Sequence, residues 1–110
     1  MKTFNDLEFV DREDGSHQSL LQLGGVTISV VYGHPDMGFR TYSDVESNLY
    51  EVAAFFGNDM IPLQVSDDVL GWQTAEDITK LMEEIQTDVE SFISSRNDAR
   101  HVYEKELELS

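Results

Sequence analysis

Two glycines, Gly24-Gly25, stand between two runs of alternating apolar and polar residues, and no other feature limits the fold as strongly. Leu21 and Leu23 lead into the pair; Val26, Ile28 and Val30 leave it, with Gln22, Thr27 and Ser29 interleaved. Alternation of period two marks a strand with one buried face. Two glycines between such runs favour a two-residue hairpin, since both take positive φ without steric cost. The register then pairs Leu23 with Val26 and Leu21 with Ile28, and all five apolar side chains share a face. That face needs a second layer to cover it.

The cover lies near the other end of the chain. From Thr74 the period changes: Ile78, Leu81, Met82, Ile85, Val89, Phe92 and Ile93 recur at helical spacing. Thr74 and Asp77 resemble a capping box with Asp at the third position. Ser94-Ser95-Arg96-Asn97-Asp98 weakens the pattern, after which residues 99–110 either resume as a helix through Val102, Tyr103 and Leu107 or fray.

Between these signals, residues 3–10 read as a first strand and residues 33–46 as a long connection punctuated by Gly33, Pro35 and Gly38. Leu49 to Phe56 reads as a strand, and Gly57-Asn58-Asp59 turns it into another over Met60 to Val65. Pro62 there argues for an edge position, because proline donates nothing to a ladder. Strands come first and a long helix closes the chain, without βαβ alternation. The expected fold class is α+β: an antiparallel β-sheet of four to five strands packed by a long C-terminal helix. Residues 1–94 are expected to form one domain, with 95–110 as a tail.

Chemistry is sparse. There is no cysteine, so disulfides and thiolate sites are excluded and an intracellular setting fits. The N-terminal residues lack the apolar stretch of a secretory signal, and no run approaches the roughly 20 residues of a membrane helix. Gly33-His34-Pro35-Asp36-Met37-Gly38 has neither the lysine nor the spacing of a phosphate loop, and no Gly-x-Ser-x-Gly elbow occurs. His17, His34 and His101 are not spaced as metal ligands. Asp67-Asp68 with Asp59 offers oxygens to a hard cation, but an acidic turn explains them more simply. Glu83-Glu84 are neighbours on a helix and do not face one another. Trp72, just before the helix cap, reads as a hydrophobic staple or core plug, or else as an exposed anchor. The expectation is a non-enzymatic protein without a cofactor or metal.

Charge carries the remaining signal: 22 acidic residues oppose 7 basic ones, a formal −15. Such a surface repels nucleic acid and anionic lipid and attracts a basic groove. Acidity also serves solubility alone, but a chain tuned for solubility mixes its signs. Here no basic residue falls between Arg40 and Lys80, while Asp44, Glu46, Glu51, Asp59, Asp67, Asp68, Glu76 and Asp77 do. With Glu83 and Glu84 these are the candidate partner-binding residues. Acids one helical turn apart lie about 5–6 Å from each other, a spacing compatible with a row of phosphates.

Met1-Lys2-Thr3-Phe4-Asn5-Asp6-Leu7-Glu8-Phe9, Gly25 to Val31, Leu49 to Ala53 before Gly57-Asn58-Asp59, and Ser66 to Ile78 carry a resemblance. Over about residues 1–90 the chain resembles a family of small, mostly uncharacterised tailed-phage accessory proteins, most specifically through Asp67-Asp68-Val69-Leu70-Gly71. The resemblance brings no catalytic residues; it implies the cytoplasm of an infected bacterial host. The functional expectation is an acidic inhibitor of a host defence or nucleic-acid-processing system, of anti-CRISPR or anti-restriction type. Its partner would be a host protein with a basic nucleic-acid-binding groove, with no direct nucleic-acid or membrane contact. The alternative is an assembly protein that homodimerises through its C-terminal helix, using Val102, Tyr103, Leu107 and Leu109.

Overall fold

A computed structural model of the chain describes residues 1–13, 15–33, 43–44 and 46–109. The fold is α+β. Six antiparallel strands, β1 (Val10–Asp11), β2 (His17–Leu23), β3 (Val26–Tyr32), β4 (Tyr50–Phe56), β5 (Asp59–Ile61) and β6 (Leu70–Gln73), form one sheet. Two helices, α1 (Ala75–Thr87) and α2 (Val89–Leu109), complete it. Strand order is β1-β2-β3-β4-β5, and β6 shares with β5 the edge of β4 that faces away from β3.

The glycine hairpin forms in the expected register, Leu23 opposite Val26 and Leu21 opposite Ile28. Of its two glycines only Gly24 takes positive φ, 65°. Glycine first with an ordinary second residue is the pattern of a type II′ turn. Gly57-Asn58 repeats it between β4 and β5, with Gly57 at φ 63° and Phe56 opposite Asp59. Leu23, Val26, Ile28, Val30, Val52, Ala54 and Ile61 line one face of the sheet and are buried there against Ile78, Leu81, Met82 and Ile85 of α1 and Phe92 of α2.

The structure departs from expectation at four places. Residues 3–10 are not a strand: Phe4–Asp6 is a single 3-10 turn, and pairing begins only at Val10. Thr3 and Asp6 hold the turn reciprocally, Thr3 N–H donating to the Asp6 carboxylate at 2.8 Å. Phe4, Leu7 and Phe9 all pack on the core, which explains their lack of alternation. Gln86 clamps this segment to α1, accepting from Lys2 N–H at 2.8 Å and donating to its carbonyl at 2.7 Å. The strand expected over 60–65 stops at Ile61, immediately before Pro62, which has no N–H to continue the ladder.

Leu70–Gln73 is a strand rather than a lead into the helix, and Trp72 is neither staple nor core plug: it is 55% exposed. Finally, the helical pattern is broken at Asp88, not over 94–98. Asp88 has extended backbone, φ −160° and ψ 99°, and its carboxylate accepts from Ser91 N–H at 3.1 Å and Ser91 Oγ at 3.0 Å, capping a new helix. The tail resumes as helix, so residues 95–109 continue α2 without interruption. Most of the connection after Gly33 lies outside the described residues; at its far end Asp44 and Leu49 close a short turn.

α2 starts at the β2–β3 turn, where a Cβ on Gly24 would stand 3.2 Å from Val89 Cγ2, and reaches β5. Residues 101–109 continue α2 past these contacts as an overhang in which every residue but Tyr103 is exposed. Phe92, 2% exposed, is the side chain by which α2 joins the core. Phe92→Ala should lower unfolding free energy by about 3–5 kcal/mol, seen as a reduced urea midpoint at unchanged slope.

Candidate functional site

The ten carboxylates singled out from sequence separate into two groups once the chain folds. In the first, the carboxylate is engaged within the fold. Glu84 receives both prongs of Arg96, at 3.2 and 2.6 Å, and Arg96 also lies 4.7 Å above the Phe92 ring. Asp68 pairs with Arg100 at 3.0 Å, and the same guanidinium nitrogen donates to the Gln64 carbonyl at 3.0 Å. Glu76 meets Lys80 one turn along α1 at 3.4 Å. Asp77 closes the capping box with Thr74, each accepting from the other's backbone N–H at 3.1 Å. Asp44 accepts from Glu46 N–H and Ser47 Oγ, and Asp67 from Val69 N–H at 3.3 Å.

In the second group, Glu46, Asp59 and Glu83 are exposed and meet no cation among the described residues. Glu51, half-buried in β4, is itself engaged and points to the sheet face opposite the helices. These positions do not converge. Glu46 precedes the start of β4 and Asp59 follows its end, so a seven-residue strand of about 20 Å separates them, and Glu83 sits on the helix layer. The interval without basic residues is answered in space by Lys80, on Glu76, and by Arg100, on Asp68. The run of acid is thus continuous in the chain and divided in the fold.

Hydrogen bonding to the ionised form holds two carboxyls below the ordinary carboxylate range. For Asp77 the Thr74 backbone N–H is the main cause, then the Thr74 hydroxyl; for Asp88 it is the Ser91 N–H, then its hydroxyl. Phe4, Phe9, Tyr32 and Tyr50 form an aromatic cluster beside β1, with His17 stacked on Tyr32 at 4.6 Å and paired with Asp11. Burial there, with Tyr32 adding to it, pushes the Tyr50 phenol up. Among the described residues no three His, Asp or Glu side chains gather as metal ligands, and no helix is long and apolar enough to cross a membrane. His34 and Asp36 lie outside the described residues.

Two surface grooves stand out. One, of about 420 Å³, runs along the overhang of α2 between Val65 and Ala99, Val102, Tyr103. Asp98 and Glu106 complete its lining, in which Val102 is 56% exposed; further along α2, Leu107 is 56% and Leu109 88% exposed. The other, of about 360 Å³, lies on the connection from β5 into β6 and is lined by Gln64, Asp67, Trp72 and Gln73. The sequence singles out Asp67 as a partner-binding acid and offers Trp72 as an exposed anchor, but not their meeting in one groove, because Leu70–Gln73 does not read as a strand.

Neutralising the engaged acids should cost stability where neutralising the free ones does not. Asp68→Asn and Glu84→Gln should each lose about 1 kcal/mol, given partly exposed partners, while Glu46→Gln, Asp59→Asn and Glu83→Gln should stay within about 0.5 kcal/mol in urea melts. Acid should act through Asp77 with a definite sign. Its folded carboxyl titrates below its unfolded one, so its contribution is full above the unfolded value and disappears as pH falls through the folded one. Stability measured from pH 6 downward should fall less steeply in Asp77→Asn than in the unaltered chain. Compared with known proteins, the chain matches no family model, no curated protein and no solved structure.

Proposed function

We propose that this chain works by binding protein, without catalysis, and that the overhanging half of α2 is a self-association surface. The observation that carries the reading is the apolar surface of the overhang: Val102 is exposed in a groove that it shares with Val65, Ala99 and Tyr103 between Asp98 and Glu106, and Leu107 and Leu109 are exposed further along the helix. Exposed apolar side chains in and beside a groove are the usual centre of a protein interface. Sedimentation equilibrium at moderate salt should give twice the 12.5 kDa chain mass. Val102→Gln with Leu107→Gln should return the single-chain mass without loss of helix. A single-chain mass for the unaltered protein up to high micromolar concentration would overturn the reading. Added salt should strengthen the dimer, because two chains of formal charge −15 repel.

A second reading has its own support: phage-type inhibition of a host nucleic-acid-handling protein, with Glu46, Asp59 and Glu83 as acids that remain free for a basic groove. Asp68, Glu76, Asp77 and Glu84 support it less, since each is engaged within the fold. A partner captured from a bacterial lysate by the unaltered chain and lost by the triple variant Glu46→Gln, Asp59→Asn, Glu83→Gln would carry it. Equal capture by that variant would remove it.

A further inference from the structure

Trp72 stands where a tryptophan is costly in two ways. Its φ of 57° lies in the left-handed region, where a Cβ crowds the following carbonyl and glycine or asparagine is the ordinary occupant. Burial does not offset this, because the side chain is 55% exposed. The cause of the geometry is a β-bulge: Tyr50 pairs with Gln73 and Val52 with Leu70, so Gly71 and Trp72 together oppose Glu51. Bulges redirect a side chain, and strained residues held by a rigid sheet concentrate where a ligand is met.

We propose that the groove lined by Trp72 and Asp67 seats an arginine side chain of a partner protein, its guanidinium laid on the indole and paired with the Asp67 carboxylate. Both groups line the same groove of about 360 Å³. Asp67 Oδ1 accepts from Val69 N–H at 3.3 Å, and Oδ2 has no partner among the described residues. The chain already holds an arginine by this chemistry: Arg96 sits over the Phe92 ring and forks onto Glu84. Trp72 and Asp67 offer solvent the same pair of groups, a π face and a carboxylate. Charge selects the occupant, since a chain of −15 repels phosphates and attracts cations. Arginine is favoured over lysine because its planar cation stacks and forks at once. The groove is open, and a free amino acid would bring its own carboxylate against this acidic surface, so the arginine belongs to a protein.

This contact is separate from the α2 overhang and does not rest on it. Trp72 is the only tryptophan in the chain, so its emission reports on the groove directly. The probes are a capped tri-arginine peptide and its tri-lysine counterpart, titrated at low salt. The arginine peptide should change Trp72 emission saturably and bind about fivefold more tightly than the lysine peptide. Asp67→Asn, which keeps the oxygen facing Val69 N–H, should weaken it about fivefold. Trp72→Gly, followed by anisotropy of a labelled peptide, should weaken it about tenfold while melting close to the unaltered chain, because glycine accepts the φ. The Val102→Gln, Leu107→Gln chain should bind as the unaltered one does. Equal affinity for the two peptides, unmoved emission at saturation, undiminished binding by Asp67→Asn, or competition by free arginine as strong as by the capped peptide would overturn the proposal.

Discussion

One face of β3 and β4 must be kept from water, and α1 alone is too short to do it. Val26, Ile28, Val30, Val52 and Ala54 are all fully buried, yet the apolar side chains of α1 run only from Ile78 to Ile85, about 10 Å of helix. The remaining width is covered because the chain breaks at Asp88 and sends α2 back across the sheet, with Phe92 inserted beneath it. A helix continuing straight past Asp88 would leave Phe92 in solvent and the hairpin end of the sheet uncovered. The Asp88–Ser91 cap is therefore a tertiary device as much as a local one: it makes the redirected helix the cheaper of two choices.

That redirection also decides the fate of the acid. By turning α2 across the sheet, the break at Asp88 carries Arg96 to Glu84 and Arg100 to Asp68 and the Gln64 carbonyl. Two of the chain's seven basic residues are thus spent holding α2 down, each on a carboxylate that looks free along the sequence. Charge density read along the chain overstates the acid available to a partner, because Glu76, Glu84 and Asp68 are each met by a cation in space. Of the ten candidate acids, the exposed ones whose carboxylates meet no partner among the described residues, Glu46, Asp59 and Glu83, lie on different ends and faces of the fold.

The α+β class, the glycine hairpin with its register, the central strand and the Thr74 capping box were all legible, since each rests on local alternation, turn chemistry or helical period. The failures share a different origin. Residues 3–10 looked like a strand because apolar residues recur, but Thr3 and Asp6 close a turn and three side chains point one way. Leu70–Gln73 did not look like a strand because Gly71 and Trp72 interrupt alternation, and only pairing with the β4 backbone, with Gly71 and Trp72 bulged opposite Glu51, makes a strand of it. The apolar period ran unbroken through Asp88, so nothing local distinguished one long helix from two. For Trp72 the sequence leaves a buried plug and an exposed anchor both open, and the register that exposes it is a nonlocal fact.

The segment Gln64–Asp68 joins the two grooves. Val65 forms one wall of the groove on α2, while Gln64 and Asp67 line the groove that holds Trp72. Between them Arg100 reaches from α2 to the Gln64 carbonyl and the Asp68 carboxylate; Leu63, just before the segment, donates to the Asp68 carbonyl, and Gln64 donates to the Asp67 carbonyl. A short segment closed by its own backbone bonds and pinned by one guanidinium cannot shift on one side without moving on the other. Breaking the Arg100 contact to remodel one groove would leave a half-buried carboxylate and a carbonyl without their donor, a cost that resists such movement. The two grooves are thereby held in fixed relation to one another.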